Sequence, residues 1–499
     1  MVGSQSSEAS NLMAKRAACS GPIEVSTRQR FLNAFHLLCL FCGVSRIRHS
    51  PYETTFLSVE FLSITKMATK PNVLVFGGLT LLAPILTQQL IPPLPAEPLV
   101  SHIRIVDKFL VNPPTTRIPK AFIKTLQARS DLVEYRQANL TTASVVSKCF
   151  MDPAPNGLPY THIIDCTGES FPGHESEVYI KNTFNIALLI ARTSAAQMAR
   201  VPGSIKAHIR IVVPWYKHPI IEKRYKETDP EGWQPKNLPG AWWHESLRAV
   251  GSIKGLPFVV VRCGSIYGES FWTTEAITIA LLALIYKHMG REMKLLWSPN
   301  QPKTCINNYD FVGIIWKAAE WISTMSREEA NAIAGAPFPP SYDDSVTSEN
   351  CPDAILASAG SVTIPCFNAV DETNATQASL SAVISRMFGI EIGFLGSSAG
   401  ALEGKMLEEA IKEANEVHLV AWSEIIMKAN PPVPDTPLMP YLPPSLVTED
   451  GCGMDGERVK NILKYNFRYP RFDERAIRDY INWCRNEGIW PETDLYTSA

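Results

Sequence analysis

The chain has 499 residues, of which 45% are hydrophobic and 19% charged, with a net charge of −2. That composition excludes a wholly disordered chain, and the near-neutral charge leaves no electrostatic footprint for nucleic acid or an anionic membrane. Eleven cysteines are scattered along it, and the single CxxC, Cys39–Cys42, has no second Cys/His cluster to complete a zinc site; reduced thiols, a cytoplasmic location and no metal are the expectation.

Residues 1–66 differ from the rest. A polar, aperiodic lead of 30 residues precedes an apolar run, Phe31–Val44. That run is far shorter than the ~20 residues of a spanning helix, so no integral membrane span is expected. A signal peptide puts a short basic segment, not a long polar one, before its apolar core. Met67 then opens MATKPNVLVFGG, a natural start for a nucleotide-binding α/β domain. Residues 1–66 therefore read as a disordered extension, one source of which is an upstream gene-model artefact; an organelle presequence or membrane-associating segment is the competing reading.

From Asn72 short β-branched runs alternate with helical stretches, the pattern of a doubly wound α/β sheet. The expected strands are Val73–Phe76, His102–Val106, Leu132–Arg136, His162–Cys166, His208–Val213 and Phe258–Arg262, with helices at Leu82–Leu90 and Lys181–Met198. Thr273–His288 reads as a packed apolar helix. Ala334–Gly360, rich in Pro, Ser, Ala and Asp, reads as a long loop, and the aspartates of Ser341–Ser345 as solvated. Thr363–Ala369 is an expected strand; Gln377–Phe388, Leu402–Met427 and Ala476–Gly488 are expected helices, with a proline-rich stretch at Asn430–Pro444. The expected division is 1–66 extension, 67–330 nucleotide-binding domain, 331–362 loop and 363–499 C-terminal substrate-binding lobe.

VLVFGGLTLLAPIL places a glycine turn, Gly77–Gly78, between the first strand and an apolar helix. Such a turn lets backbone N–H groups approach a pyrophosphate at a helix N-terminus. The positions three and six residues after Gly77 carry Thr80 and Ala83, both small. The second strand ends in Asp107, where a carboxylate can accept from the adenosine ribose hydroxyls. Lys108 beside it tolerates a 2′-phosphate, so either NAD or NADP is the expected cofactor. No HExxH, Walker loop or G-x-S-x-G elbow occurs.

These segments together resemble the extended short-chain dehydrogenase/reductases, the NAD-dependent epimerase/dehydratase family, and lean toward its fungal members. VEYRQANL resembles the family's third-strand segment, with Asn139 beside the adenine. THIIDCTGES resembles the fourth strand and its cofactor-lining turn, with Cys166 and Thr167. VYIKNTFNIALLIA carries Asn182 at a helix asparagine of the family. GLPFVVVRCGSIYG is similar to the R-P-x-x-x-Y-G turn, with Cys263 for the proline, and CINNYDFVGIIWKA keeps Asp310. The resemblance implies a Rossmann-type sheet, a C-terminal substrate-binding lobe, a small-molecule substrate (in some members of secondary metabolism) and a homodimer.

The family's reaction uses a Tyr, a Lys four residues on, and a Ser or Thr after the fifth strand. Here the matching helix reads LPGAWWHESLRAVG, with no tyrosine between Tyr225 and Tyr267, and the fifth strand is followed by Pro214, Trp215 and Tyr216. Two readings stay open. In one the site is rebuilt, with Tyr216 as proton donor and His244 or Glu245 as acid/base. In the other it is dead, Trp242 and Trp243 fill the pocket, and the chain is a nucleotide-binding or scaffold protein.

Overall fold

A computed structural model divides the chain into two units, Met1–Lys66 and Met67–Ala499. It describes residues 70–213, 215–272, 274–341, 360–396, 405–443, 447 and 449–495. The readings made for residues 1–66, for Pro214 and for the aspartates within 342–345 fall outside the described residues.

The expected alternation is observed: β1 (Asn72–Phe76), α1 (Ala83–Leu90), β2 (His102–Asp107), α2 (Lys120–Ala128), β3 (Val133–Gln137), α3 (Ala143–Met151) and β4 (His162–Asp165). A helical turn at Ser176–Tyr179 and a π-helical turn at Ile180–Asn185 then lead into α4 (Ile186–Arg200), followed by β5 (Ala207–Val212), α5 (Leu238–Gly251) and β6 (Phe258–Cys263). Every residue of β1, β2, β4, β5 and β6 is buried, as parallel strands covered on both faces must be. Helices α1 and α2 pack on one face and α3, α4 and α5 on the other.

Downstream come β7 (Ser265–Tyr267), α6 (Glu275–Met289), β8 (Met293–Leu295), β9 (Cys305–Asn307), α7 (Asn308–Ile322), α8 (Arg327–Ala334) and β10 (Gly335–Phe338). The chain ends with β11 (Val362–Ala369), α9 (Gln377–Phe388), β12 (Ile392–Phe394), α10 (Lys405–Lys428), α11 (Glu457–Asn461) and α12 (Glu474–Glu487). Helix α6 is capped at both ends, by the Thr274 hydroxyl accepting from the Ile277 N–H and by Gly290 in the left-handed region.

The sheet order is β10-β11-β6-β5-β4-β1-β2-β3, with every pair parallel except β10–β11. The order reverses between β1 and β4, which places the ligand crevice of such a sheet at their carboxyl ends. Two sequence readings need correction. Thr363–Ala369 belongs to the main sheet, with Cys366 in register with Val260, rather than to a C-terminal lobe. Gly335–Phe338, read as loop, is an antiparallel edge strand. Both follow from context: Ile364, Cys366 and Phe367 complete the apolar surface left beside β6, and pairing to β11 overrides the weak strand preference of GAPF. The smaller lobe is assembled from α6, α9, α10 and the parallel pair β8–β12.

No helix among the described residues is long and apolar enough to cross a membrane. Cys149, Cys166, Cys263, Cys305, Cys366, Cys452 and Cys484 are free thiols.

Candidate functional site

At the carboxyl end of β1, Gly77 and Gly78 adopt φ of +72° and +78°, which only glycine takes without strain. The Gly77 N–H donates to the Val106 carbonyl (2.8 Å), and the Gly78 carbonyl accepts from Leu81, Leu82 and Ala83 (3.1, 2.9 and 2.9 Å). A Cβ on Gly77 would lie 3.2 Å from both the Cys166 carbonyl oxygen and Thr167 Cγ2, and one on Gly78 3.0 Å from Cys166 Cβ. The turn is thus seated directly on the segment leaving β4. Ala83 is fully buried at the start of α1, in the place where a small residue permits close helix–strand packing.

Asp107 closes this arrangement from β2. Its Oδ2 accepts from the Leu79 N–H (3.0 Å) and its Oδ1 from Lys108 (2.6 Å). Burial pushes its carboxyl pKa up, against the pull of those N–H donors. The Phe109 N–H also bonds this carboxylate, so three backbone donors draw on its acceptor sites, which number about four. Gly77, Gly78, Ala83, Asp107, Cys166 and Thr167 meet around this turn, and Thr80, half-buried, lies within it. Asn139 stands after the end of β3, exposed, its Oδ1 accepting from the Thr141 N–H (3.1 Å) and hydroxyl (2.7 Å). An open groove of about 790 Å³ lies between the loop that follows Lys108 and α2, lined by Val111, Asn112, Arg117, Ile118 and Leu126 among others and by none of Gly77, Gly78 and Asp107.

The ends of β4 and β5 are built differently. Asp165 is fully buried; its Oδ1 accepts from the Thr167 N–H (2.9 Å) and hydroxyl (2.6 Å), and its Oδ2 pairs with Arg210 on β5 at 2.5 Å. The Arg210 guanidinium lies 4.8 Å from the Trp243 ring centre, and the Trp243 indole N–H donates to the Glu169 carbonyl (2.9 Å). Trp243 covers Gly168 so closely that an added Cβ would lie 2.2 Å from its Cζ2. An intact dinucleotide runs from the β1–β2 side across to the β4–β6 side. On the second side Trp243 occupies the face of Gly168.

Tyr216 and His244, read from sequence as members of one possible acid/base set, do meet. The Tyr216 hydroxyl donates to His244 Nδ1 (3.3 Å), and His244 Nε2 donates to the Pro339 carbonyl (2.6 Å), which fixes the tautomer. Both side chains are buried, Tyr216 at 2% exposure and His244 at 0%. Trp233 stands edge-on to Tyr216 at 5.1 Å and meets Phe338 at a tilt of 38° and 4.1 Å, while Arg262 lies over Trp233 at 4.0 Å. Burial pushes His244 down to about 4 and raises the Tyr216 hydroxyl well above its ordinary range. Both are neutral at neutral pH, inside an apolar cluster with Val212, Trp243 and Phe338.

The neighbouring polar residues of α5 are also spent on structure. Glu245 accepts from the Ser341 N–H (3.0 Å) and pairs with Arg248 (2.6 Å); Arg248 donates to the Gly360 carbonyl (2.7 Å). With His244 on Pro339, three residues of WWHESLR hold the chain on both sides of residues 342–359. Helix α5 begins with the Asn237 side chain accepting from Gly240 (3.0 Å) and Pro239 in the first turn.

Sequence reasoning missed three contacts. The Asp165–Arg210 pair had one signal, a charge in each of two otherwise apolar buried strands. The Asn308 amide bridges the carbonyls of Leu81 (3.2 Å) and Glu269 (2.7 Å), tying the glycine turn to the turn after β7. Asp310, matched to the family only by position, accepts from the Arg468 and Tyr469 N–H groups (2.8 Å each) and the Tyr465 hydroxyl (3.0 Å); it clasps the C-terminal segment.

Among the described residues no group of three His, Cys, Asp or Glu is placed to hold a metal ion. No protein-family model and no curated protein matches the chain. Solved structures do. DesIV, the dTDP-glucose 4,6-dehydratase of Streptomyces venezuelae, solved with NAD and TYD, is 12% identical over 84% of this chain and 98% of its own, with a TM-score of 0.49. The UDP-N-acetylglucosamine 4-epimerase of Bacillus cereus is 9% identical over 86% and 100%, also at 0.49. The Bordetella bronchiseptica enzyme WbmG, solved in complex with NAD, is 9% identical over 87% of this chain and 100% of its own, with a TM-score of 0.50. At that identity the likeness is one of fold: the chain shares with WbmG an α/β Rossmann-type architecture.

Proposed function

We propose that this chain is a nucleotide-binding protein of the epimerase/dehydratase-type fold that does not use Tyr216 and His244 for chemistry. The observation that supports it is a contrast within one crevice. The glycine turn and Asp107 are assembled at its β1–β2 side. Tyr216, the tyrosine that follows β5, is sealed among Trp233, Phe338 and His244. A general acid must reach the proton it transfers, and this pair faces protein on every side named above.

The test is a thermal-shift panel of AMP, ADP, NAD(H) and NADP(H) on the full-length protein. At least one adenine nucleotide raises Tm, and Asp107→Asn removes the shift; no shift with any of them refutes the proposal. A companion panel of alcohols and ketones with NAD(P) gives no turnover.

The second reading is an NAD(P)-dependent oxidoreductase or epimerase/dehydratase acting on a small-molecule metabolite. It is favoured by the WbmG match, since that protein was solved with NAD and is covered along its whole length. Under it, Tyr216→Phe and His244→Ala each lower turnover by orders of magnitude, and unchanged rates reject those roles.

A further inference from the structure

We propose that Lys236 is a nucleophilic lysine that captures a small hydroxyaldehyde or hydroxyketone as an imine at the carboxyl end of the sheet. The step requires neither a nucleotide nor the Tyr216–His244 pair, so it goes beyond the reading above and stands or falls without it.

The backbone fixes where this side chain starts. The Lys236 N–H donates to the Trp215 carbonyl and the Lys217 N–H to the Gln234 carbonyl (2.8 Å each), so residues 234–236 run beside the segment that leaves β5. Ligands of a parallel sheet bind at that end. The Lys236 side chain crosses to a strip of the C-terminal segment, where Nζ donates to the Asp450 and Gly451 carbonyls at 3.3 and 3.4 Å. Lys303 lies along the same strip: the Cys452 N–H donates to the Pro302 carbonyl (2.7 Å) and the Thr304 N–H to the Cys452 carbonyl (2.8 Å). Lys303 Nζ pairs at 2.6 Å with Glu275, the first residue of α6.

Two lysines thus meet one strip, and Lys303 holds the carboxylate. Among the described residues no Asp or Glu lies within ion-pair distance of Lys236, whose two bonds go to carbonyls and are long. The residue is half-buried, neither sealed nor free in water. An ammonium so placed, beside a second cation, is poorly compensated and is relieved by giving up its proton. Burial and the Lys303 charge push its pKa down, against the pull of Cys452, Asp450 and Glu275. Lys223 and Lys412, which hydrogen-bond to Glu231 and Glu408, are pushed the other way. An amine activated by burial and a neighbouring cation is the form in which lysine attacks a carbonyl carbon.

The step needs no oxidant. The Nζ lone pair bonds to the carbonyl carbon as the C–O π bond breaks. The carbinolamine then expels its oxygen, which leaves as water with both amine protons, and a C=N bond remains. Nζ has then given up its donors, and the Asp450 and Gly451 carbonyls lose theirs. Hydroxyls beside the substrate's carbonyl replace them, which selects a hydroxycarbonyl over an alkyl aldehyde.

Reductive trapping tests this. The full-length protein is held with dihydroxyacetone and cyanoborohydride near neutral pH, without nucleotide, and adducts are read by peptide mass spectrometry. Lys236 is expected to be trapped about tenfold faster than Lys317 and Lys428, which are exposed; equal or slower trapping overturns the inference. The rate at Lys236 should level off at a lower pH than at those two, and a shared pH profile overturns it as well. Propanal in place of dihydroxyacetone should lower the ratio of Lys236 to Lys317 trapping; an unchanged ratio overturns the hydroxycarbonyl assignment. Lys303→Met removes the neighbouring charge and frees Glu275 for Lys236, so trapping at Lys236 should slow and its pH profile move up. An unchanged profile in the folded variant refutes Lys303 as the positioning residue.

Discussion

The two sides of the crevice use the same kinds of residue for different ends. On the β1–β2 side a carboxylate, Asp107, accepts from backbone N–H groups of the glycine turn and of its own loop. On the β4–β5 side a carboxylate, Asp165, is wholly enclosed and bonds Thr167 and Arg210. One carboxylate orders backbone and the other pairs a buried cation. Substitutions on one side can therefore act apart from the other, although the segment leaving β4 carries the turn as well as Asp165.

Substitutions should separate the halves cleanly. The largest effect is expected from Arg210→Met, which leaves Asp165 charged, buried and unpaired and costs about 3–5 kcal/mol. Adding Asp165→Leu should recover most of that loss in urea unfolding; no recovery would mean that the pair is not the source. Trp243→Ala removes a buried indole and costs about 3–5 kcal/mol; a loss under about 1 kcal/mol would show that the face of Gly168 is open. Tyr216→Phe strands His244 Nδ1 and costs about 1–3 kcal/mol, without altering nucleotide affinity.

His244 supplies a pH test. Its folded pKa, about 4, lies below its ordinary 6.5, so between those values the unfolded chain binds the extra proton and stability from this group falls as pH falls. His244→Gln removes that term. Its stability deficit against the parent should shrink by up to about 3 kcal/mol between pH 6.5 and 4, and a constant deficit would mean that the ring is charged in the folded protein. Asp107→Asn turns one of the two accepting oxygens into a donor and strands the Leu79 or Lys108 N–H, a cost of about 1–3 kcal/mol, and it should cost the most in nucleotide binding.

The parts of the fold legible in the sequence were those where local pattern and tertiary environment agree. Val73–Phe76 and Phe258–Arg262 are apolar runs because both of their faces are covered, and Gln377–Phe388 was readable from its periodicity and the glycine that follows. The strand GAPF was not, since nothing within four residues reports a neighbour such as β11. The contact of the glycine turn with Asp107 was legible for a similar reason: glycine turn, strand end and acid lie close in sequence. The β4–β5 side was not, because Trp243 meets Gly168 across 75 residues of chain, and only the packing shows whether a tryptophan lines a pocket or fills it. The pairing of Tyr216 with His244 was foreseen as a possible site; that it is enclosed by Phe338, from the unexpected strand, was not.

The place of β11 in the sheet has a consequence for how the chain is made. The strand beside β6 is supplied about a hundred residues later in the chain, after α6, α7 and α8, and Asp310 in α7 waits for donors at Arg468 and Tyr469. Until those segments leave the ribosome, β6 presents an open apolar edge and α7 a buried carboxylate without its partners. Such long sequence separations slow folding and prolong exposure of an aggregation-prone edge. Nascent chains stopped before Val362 should therefore need a chaperone, whereas chains completed through α12 should not.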